Sequence, residues 1–346
     1  MKIQRLKINE KAVVILGAGA TRGSSFADGN FSGVPLPPLD RDFFEQIQMI
    51  SNHNIRQAKS SLIKFCRDEF GSAFPSMELF FTYIEFMNIL ETKLRATRGR
   101  WPKKYRTAIA DFNKVLQELF ILSTTDKSCA YHENLVKSLR NGDCIMSFNY
   151  DCIIDSSLRD FGGGRWDPSK GYGVDVSVGH EDWTPSAVRR GRPNKGSITL
   201  LKMHGSLNWK WDQDEKDKDR GELSLLPWPP KSRNQPPNFT IVPPAWNKSV
   251  EDHALLRSIW IAARRALSAA KTLVVIGYSA PMNDQLSQAL LRACSKKTVD
   301  FKNVIIVNRN SEASDRLIGL LTSSIKDSTN VYRFRTFAEF QNCLAL

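Results

Sequence analysis

Short apolar runs recur along this chain, separated by stretches whose apolar positions repeat at helical spacing. Ala12–Leu16 is apolar without a break, the pattern of a strand buried on both faces of a parallel sheet. Comparable runs stand at residues 143–148 and 197–203, at Thr272–Ile276 and Asn303–Val307, and near Asn330–Phe334. A shorter strand is expected at residues 239–242. Residues 40–142 carry helical periodicity instead. Asp40 is placed to cap a helix over residues 41–50. Ser76 is placed to cap one over residues 77–90, where Phe80, Tyr83, Ile84 and Met87 form a single stripe. Further helices are expected at about 107–122, at about 131–139 (closed by Asn141 and Gly142), at 152–158, at 252–270, from near Asn283, and near Ser311–Leu321.

Strands that alternate with helices and are apolar along their whole length indicate an α/β fold, a doubly wound, Rossmann-like parallel sheet of about six strands. The reading is one domain over residues 1–346. A large helical insertion at about 40–142 separates the first and second strands, and an irregular loop region covers about 160–250, with room for a short hairpin within 160–197. At 41% apolar and 25% charged residues, the composition is that of a globular chain able to bury a large core. No apolar run approaches the roughly 18 residues of a membrane span, and the first ten residues lack a signal-peptide core, so a cytoplasmic protein without membrane contact is expected. Six cysteines occur with no C-x-x-C pair, which argues for reduced thiols and against a zinc cage or a disulfide framework. The net charge of +13 favours polyanionic or acidic partners. Its densest patches are residues 93–106 and 189–195. They read first as solvated surface, and they allow contact with DNA or RNA without requiring it.

The candidate chemistry sits where the strands end. Gly17, Ala18, Gly19 and Thr21 follow the first strand, with Gly23 making G-x-G-x-x-x-G, one residue longer than the dinucleotide fingerprint. Gly17 permits a tight turn, and Gly19 lets backbone N–H groups approach a phosphate. The Pro- and Gly-rich segment 31–40 that follows suits a lid or a plain surface connection. The second strand ends in Asn149, Tyr150 and Asp151, which suit either a ligand contact or a helix cap. His204 and Gly205 end the third strand, Gly277, Tyr278 and Ser279 the fourth, and Asn308 the fifth. A parallel sheet brings all these ends to one edge.

Taken together in this order, 17–21, Gly33-Val34-Pro35, 149–151, His204-Gly205, 277–279 and Val307-Asn308 resemble the sirtuin superfamily, and in particular its bacterial sirtuin-like branch. That branch includes NAD+ hydrolases of anti-phage defence. The resemblance implies NAD+ as substrate. Gly17, Ala18, Gly19 and Thr21 would line the pyrophosphate, and Asn149 would hold the nicotinamide ribose and position a nucleophile. Asp151 would brace that loop or touch nicotinamide, and His204 would act as base. Gly277 and Ser279 would contact phosphate and ribose, and Asn308 the adenosine ribose. Three features depart from protein-deacylating members. Residues 209–244 hold no cysteine where the deacylases carry a zinc module, so no zinc is expected. Leu36-Pro37-Pro38 follows Val34-Pro35 in place of an acidic, an aromatic and an arginine residue. Phe148 precedes Asn149 in place of glutamine.

The chemistry can be argued from the residues alone. Nicotinamide leaves NAD+ as a neutral amine, so the barrier is the oxocarbenium-like sugar. A fixed ribose, an oriented water and a nearby base lower it. The leading expectation is an NAD+ glycohydrolase producing nicotinamide and ADP-ribose. The alternatives are an NAD+-dependent deacylase or ADP-ribosyltransferase, and a non-catalytic sensor of NAD+ or ADP-ribose. An unrestrained hydrolase would empty its own cell. Control is therefore expected from homo-oligomerisation or from a separately encoded activating partner, such as a nucleic-acid motor ATPase or a phage protein.

Overall fold

The computed structural model describes residues 10–27, 34–94, 102–214, 217, 220–232, 237–242, 254–282, 284–295 and 300–344. Six strands form the main sheet: β1 (Ala12–Leu16), β2 (Cys144–Ser147), β3 (Thr199–Lys202), β4 (Thr272–Ile276), β5 (Asn303–Val307) and β6 (Asn330–Phe334). Their order is β3-β2-β1-β4-β5-β6 and every pairing is parallel. The chain therefore starts in the middle, winds outward on one side, and returns to wind outward on the other, as a Rossmann-like α/β fold does. β1, β2 and β4 are buried along their whole length, while β6 is an edge strand with Val331 exposed. The apolar runs that announce the strands follow from this, because helices cover both faces.

A polar clasp sets the register at the start of the sheet. One carboxylate oxygen of Asp143 accepts the Ala12 N–H (2.8 Å) and the other accepts the Arg140 N–H (2.7 Å). The entry to β2 thus holds β1 as well, and Val13 pairs with Cys144.

Between β1 and β2 come α1 (Ala18–Arg22), α2 (Arg56–Phe70), α3 (Met77–Leu94), α4 (Lys103–Thr124) and α5 (Ala130–Ser138). Phe43, Phe44, Phe80, Phe81 and Phe112 pack ring against ring in their midst, with Phe112 4.6 Å from Phe43 and 4.7 Å from Phe81. Ser76 caps α3 through the Leu79 N–H. The helix expected over 41–50 is instead a four-residue turn, Phe43–Gln46, followed by a 3-10 turn. Asp40 does not cap it, because its carboxylate accepts the Glu78 N–H (2.9 Å) at the start of α3. The stretch around 160–250 holds more order than a loop reading suggests. Val176–Val178, Trp209–Gln213 and Gly221–Leu225 form a small sheet, and Gly205–Ser206 pairs with Thr240–Ile241. The longer remaining helices are α6 (Ile153–Phe161), α7 (Ala254–Ala269), α8 (Gln285–Ser295), α9 (Ser311–Leu321) and α10 (Phe337–Cys343), with a one-turn helix at Ser186–Arg189. Gly33, residues 95–101 of the basic patch, the start of the helix expected from 252, and Asn283 lie outside the described residues. Among the described residues no helix is long and apolar enough to cross a membrane.

Cys66, Cys129, Cys144, Cys152 and Cys343 are unbridged thiols. Burial pushes Cys66 and Cys144 up to about 12. Cys129 behaves differently. Burial would raise it too, but the charge and hydrogen bond of His132, whose Nδ1 lies 3.0 Å from its sulfur, outweigh that, helped by the Ser24 hydroxyl. The net result is a thiol lowered from 9.0 to about 6. The thiolate ultraviolet absorbance of the native protein is therefore expected to titrate near pH 6. His132→Ala should raise that transition to the ordinary thiol range or above it, since burial then dominates, and an unchanged titration in the variant would exclude the pairing.

Candidate functional site

The strand order reverses between β1 and β4, so the carboxyl ends of these two strands flank the switch point where folds of this kind open a crevice. The backbone closes tightly there. The Gly17 N–H donates to the Ile276 carbonyl (3.0 Å) and the Gly19 N–H to the Gly277 carbonyl (2.9 Å). A Cβ on Gly17 would lie 2.5 Å from the Tyr278 Cα, and one on Gly19 would lie 2.8 Å from Gly277. Gly277 has φ +61°, and its Cβ would meet the Ala20 nitrogen at 2.1 Å. The absence of side chains at these glycines is what lets the two turns meet. Ala18 is exposed at the tip of the turn. Beyond Tyr278, Ala280 is buried with φ +45°, a left-handed non-glycine residue at a strand end.

The turn hands on to a buried polar network. The Thr21 hydroxyl donates to Asp151 Oδ2 (2.7 Å) and accepts from Asn149 Nδ2 (2.9 Å). The other Asp151 oxygen accepts the Ile153 N–H (3.0 Å) at the start of α6. Each side chain is thereby fixed. Thr21, Asn149 and Asp151 are at most 8% exposed, and Asn149 Oδ1 is buried with no hydrogen-bond partner among the described residues. An unmatched buried carbonyl costs about 1–3 kcal/mol.

His204 stands one strand over. Ser147 pairs with Lys202, so Asn149 and His204 each follow two residues after paired positions. Phe148 joins the two sides of the edge. Its ring stacks on Tyr278 (4.3 Å, 15°) and meets His204 edge to face (5.2 Å, 76°). His204 Nε2 lies 4.0 Å from Asp284 Oδ2, which also accepts the hydroxyls of Ser287 (2.6 Å) and Tyr278 (3.1 Å). Burial, then the Asp284 charge, pushes the Tyr278 hydroxyl well above its ordinary range, so it stays a donor. Asp284 was missed from sequence. Its only local signal is an acid at the start of α8, which an ordinary helix cap also explains.

The remaining candidates have structural duties. Asn308 Nδ2 donates to the Tyr278 carbonyl (3.0 Å), and its Oδ1 accepts the Asn310 N–H (3.0 Å), so its amide braces the β4 loop. Ser279 is exposed, and its carbonyl accepts from Arg316 Nε (3.2 Å). The segment after residue 33 is tied to α1 by Arg22, which donates to the Pro37 carbonyl and pairs with Asp42. No cluster of three or more His, Cys, Asp or Glu side chains suited to a metal ion occurs among the described residues.

No protein-family model matches this chain, and no curated protein matches it. Solved structures similar to it include one described as "Structural Basis for the Mechanism and Regulation of Sir2 Enzymes" (13% identity, TM-score 0.35, covering 91% of this chain and 92% of that one). Another is "The Structural basis for Sirtuin Substrate affinity" (10%, 0.39, 96% and 90%), and a third is "Sir2-p53 peptide-NAD+" (11%, 0.37, 96% and 90%). The strand order and register described above stand independently of these likenesses.

Two stability effects follow from the geometry. Gly277→Ala forces a Cβ into the Ala20 backbone at positive φ, and is expected to cost about 3 kcal/mol or more. Thr21→Val strands both Asp151 and Asn149 and should cost about 1–3 kcal/mol. Urea unfolding measures both, and a wild-type midpoint in either variant would contradict the assigned contact.

Proposed function

We propose that this chain is a sirtuin-like NAD+ glycohydrolase. The observation that carries the reading is the Asn149 amide, whose nitrogen is anchored by Thr21 while its buried oxygen has no partner among the described residues. An amide held this way is an acceptor aimed by its surroundings rather than by solvent. We assign it to a ribose hydroxyl or to the attacking water.

His204 takes the proton. It is an imidazole whose Nε2 lies 4.0 Å from the Asp284 carboxylate, and its residue type exchanges protons near neutrality. Water attacks the anomeric carbon as the bond to nicotinamide breaks. The bonding electrons pass to the pyridinium nitrogen and neutralise it. The proton lost by the water passes to His204, and ADP-ribose and nicotinamide leave. The stacked pair of Phe148 and Tyr278 would wall the sugar away from solvent on the β4 side. The pyrophosphate would lie over the exposed tip at Ala18 and Gly19, with Ser279 toward the ribose. Asp151, Gly17 and Gly277 serve the site by fixing its frame, and Asn308 does so through Tyr278.

The biological setting proposed is cytoplasmic NAD+ depletion in anti-phage defence, by a single sirtuin-like domain that needs no zinc. Restraint would come from assembly into a homo-oligomer or from a separately encoded activator, such as a nucleic-acid motor ATPase or a phage protein. Both rest on the toxicity of an unrestrained hydrolase.

The test is product formation from NAD+ by the full chain, with nicotinamide and ADP-ribose quantified together and candidate activators added. Asn149→Ala and His204→Ala are each expected to lower release by about 10²–10⁴-fold. Full activity in both variants would remove the site assignment. NAD+ consumption that requires an acylated peptide or an acceptor protein would redirect the reading to deacylation or ADP-ribosyl transfer. Tight binding without turnover would redirect it to a sensor.

A further inference from the structure

Lys202, the last residue of β3, is fully buried. Its ammonium donates to the Asp151 backbone carbonyl (2.5 Å) and lies 3.3 Å from Asp155 Oδ2. Asp155 is equally buried, and its other oxygen accepts the Tyr172 hydroxyl (2.6 Å), which in turn accepts from Asn208 Nδ2 (3.3 Å). Burying two charges is expensive, and a well-packed apolar pair of similar volume is often as stable. The placement is also awkward for a cation. Lys202 sits at the N-terminal end of α6, where the helix dipole repels positive charge. Asp155, in the first turn of α6, offsets both penalties.

The carbonyl of Asp151 explains why a donor is needed at this point. It lies just before the α6 cap residue, Cys152, whose own carbonyl accepts the Ser156 N–H. The Asp151 carbonyl thus falls outside the helical ladder and requires a partner from elsewhere. The neighbouring Tyr150 carbonyl is gripped from the chain just beyond β3, by the Leu207 N–H (3.0 Å) and the Ser206 hydroxyl (3.3 Å). The segment carrying His204 therefore holds the 149–151 turn on both sides of His204, by Lys202 two residues before it and by Ser206 two residues after it.

We propose that Lys202 is a positioning residue for the candidate site, its buried ammonium clamping the Asp151 carbonyl so that the turn presents Asn149 in register with His204. Asp155 and Tyr172 hold the charge in place. This inference rests on the proposed reaction for its kinetic consequence, and on geometry alone for its structural one.

Two charge-neutral double variants separate positioning from stability. Lys202→Met with Asp155→Leu removes the donor and leaves no lone buried charge. Lys202→Gln with Asp155→Asn also removes both charges but keeps an N–H donor on the side chain at position 202. At temperatures matched to each melting point, the Met/Leu protein is expected to show at least tenfold lower kcat for nicotinamide release with KM for NAD+ within about twofold. Its peptides spanning residues 148–158 should exchange amide hydrogens faster, while those of β1 and β4 stay protected. The Gln/Asn protein should recover to within about threefold of wild type in both measurements. Equal rates and equal exchange in the two double variants would overturn the clamp. If the Met/Leu protein does not fold, the Gln/Asn protein decides alone, because loss of both turnover and 148–158 protection with its donor intact would overturn the clamp as well. A wild-type protein that never releases nicotinamide would refute the proposed reaction, and the exchange comparison would still judge the clamp.

Discussion

The hydrogen bond from the Gly19 amide to the Gly277 carbonyl, at 2.9 Å, is the closure on which the rest of this molecule depends. It joins the turn after β1 to the turn after β4, and no side chain fits between them. Added Cβ atoms at positions 17, 19 and 277 would stand 2.5, 2.8 and 2.1 Å from the facing backbone. Three glycines far apart in sequence thus satisfy one steric condition. With the two turns locked, Thr21 is delivered to one side of the edge and Tyr278 to the other. Thr21 then orders Asn149 and Asp151, and Tyr278 orders Phe148 and Asp284, which faces His204.

Polar groups at this edge are buried, and burial makes their pairing decisive. Thr21, Asp151, Asp284 and Ser287 each have named partners, and Lys202 and Asp155 compensate each other. Against that background, one amide oxygen on Asn149 is unmatched. Local costs of this kind persist where the surroundings over-determine a conformation, and they concentrate at sites of ligand contact. The left-handed Ala280 on the β4 loop is a second such cost at the same edge.

The strands were legible because burial on both faces leaves a continuous apolar signature, and all six stand within the runs that announce them. The polar strand ends were legible as a set for the same reason, since a parallel sheet gathers them. What the sequence hid was allegiance. Asp40 looks like the cap of the residues that follow it, but folding gives its carboxylate to Glu78, 38 residues on. The glycines were visible, but their contact with the facing turn was not, because that backbone comes from a strand more than 250 residues away. Asp284 carries no mark until Tyr278, Ser287 and His204 close around it. Lys202 was hidden differently, as a polar residue at the end of an apolar run, where a strand usually reaches solvent. Trp209, Trp211, Leu223 and Leu225 have the period-two pattern of a hairpin, but the charged segment between them masked it.

The edge of the sheet divides its labour by topology. β1 and β4, at the switch point, supply backbone closure, and the residues that follow them, Thr21 and Tyr278, anchor the polar groups of their neighbours. β2 and β3, neighbours paired from Cys144↔Thr199 to Ser147↔Lys202, supply the amide, the imidazole and the buried cation. Because both strands run the same way and in fixed register, their ends leave the sheet at one edge whatever lies between them in the chain. That arrangement lets one strand from between α6 and β3, Val176–Val178, and two from beyond β3, Trp209–Gln213 and Gly221–Leu225, build a small sheet apart from the main one. It also places the burden of alignment on the few contacts that cross from β3 to the 149–151 turn, where a displacement would misplace Asn149 relative to His204 while leaving the sheet intact.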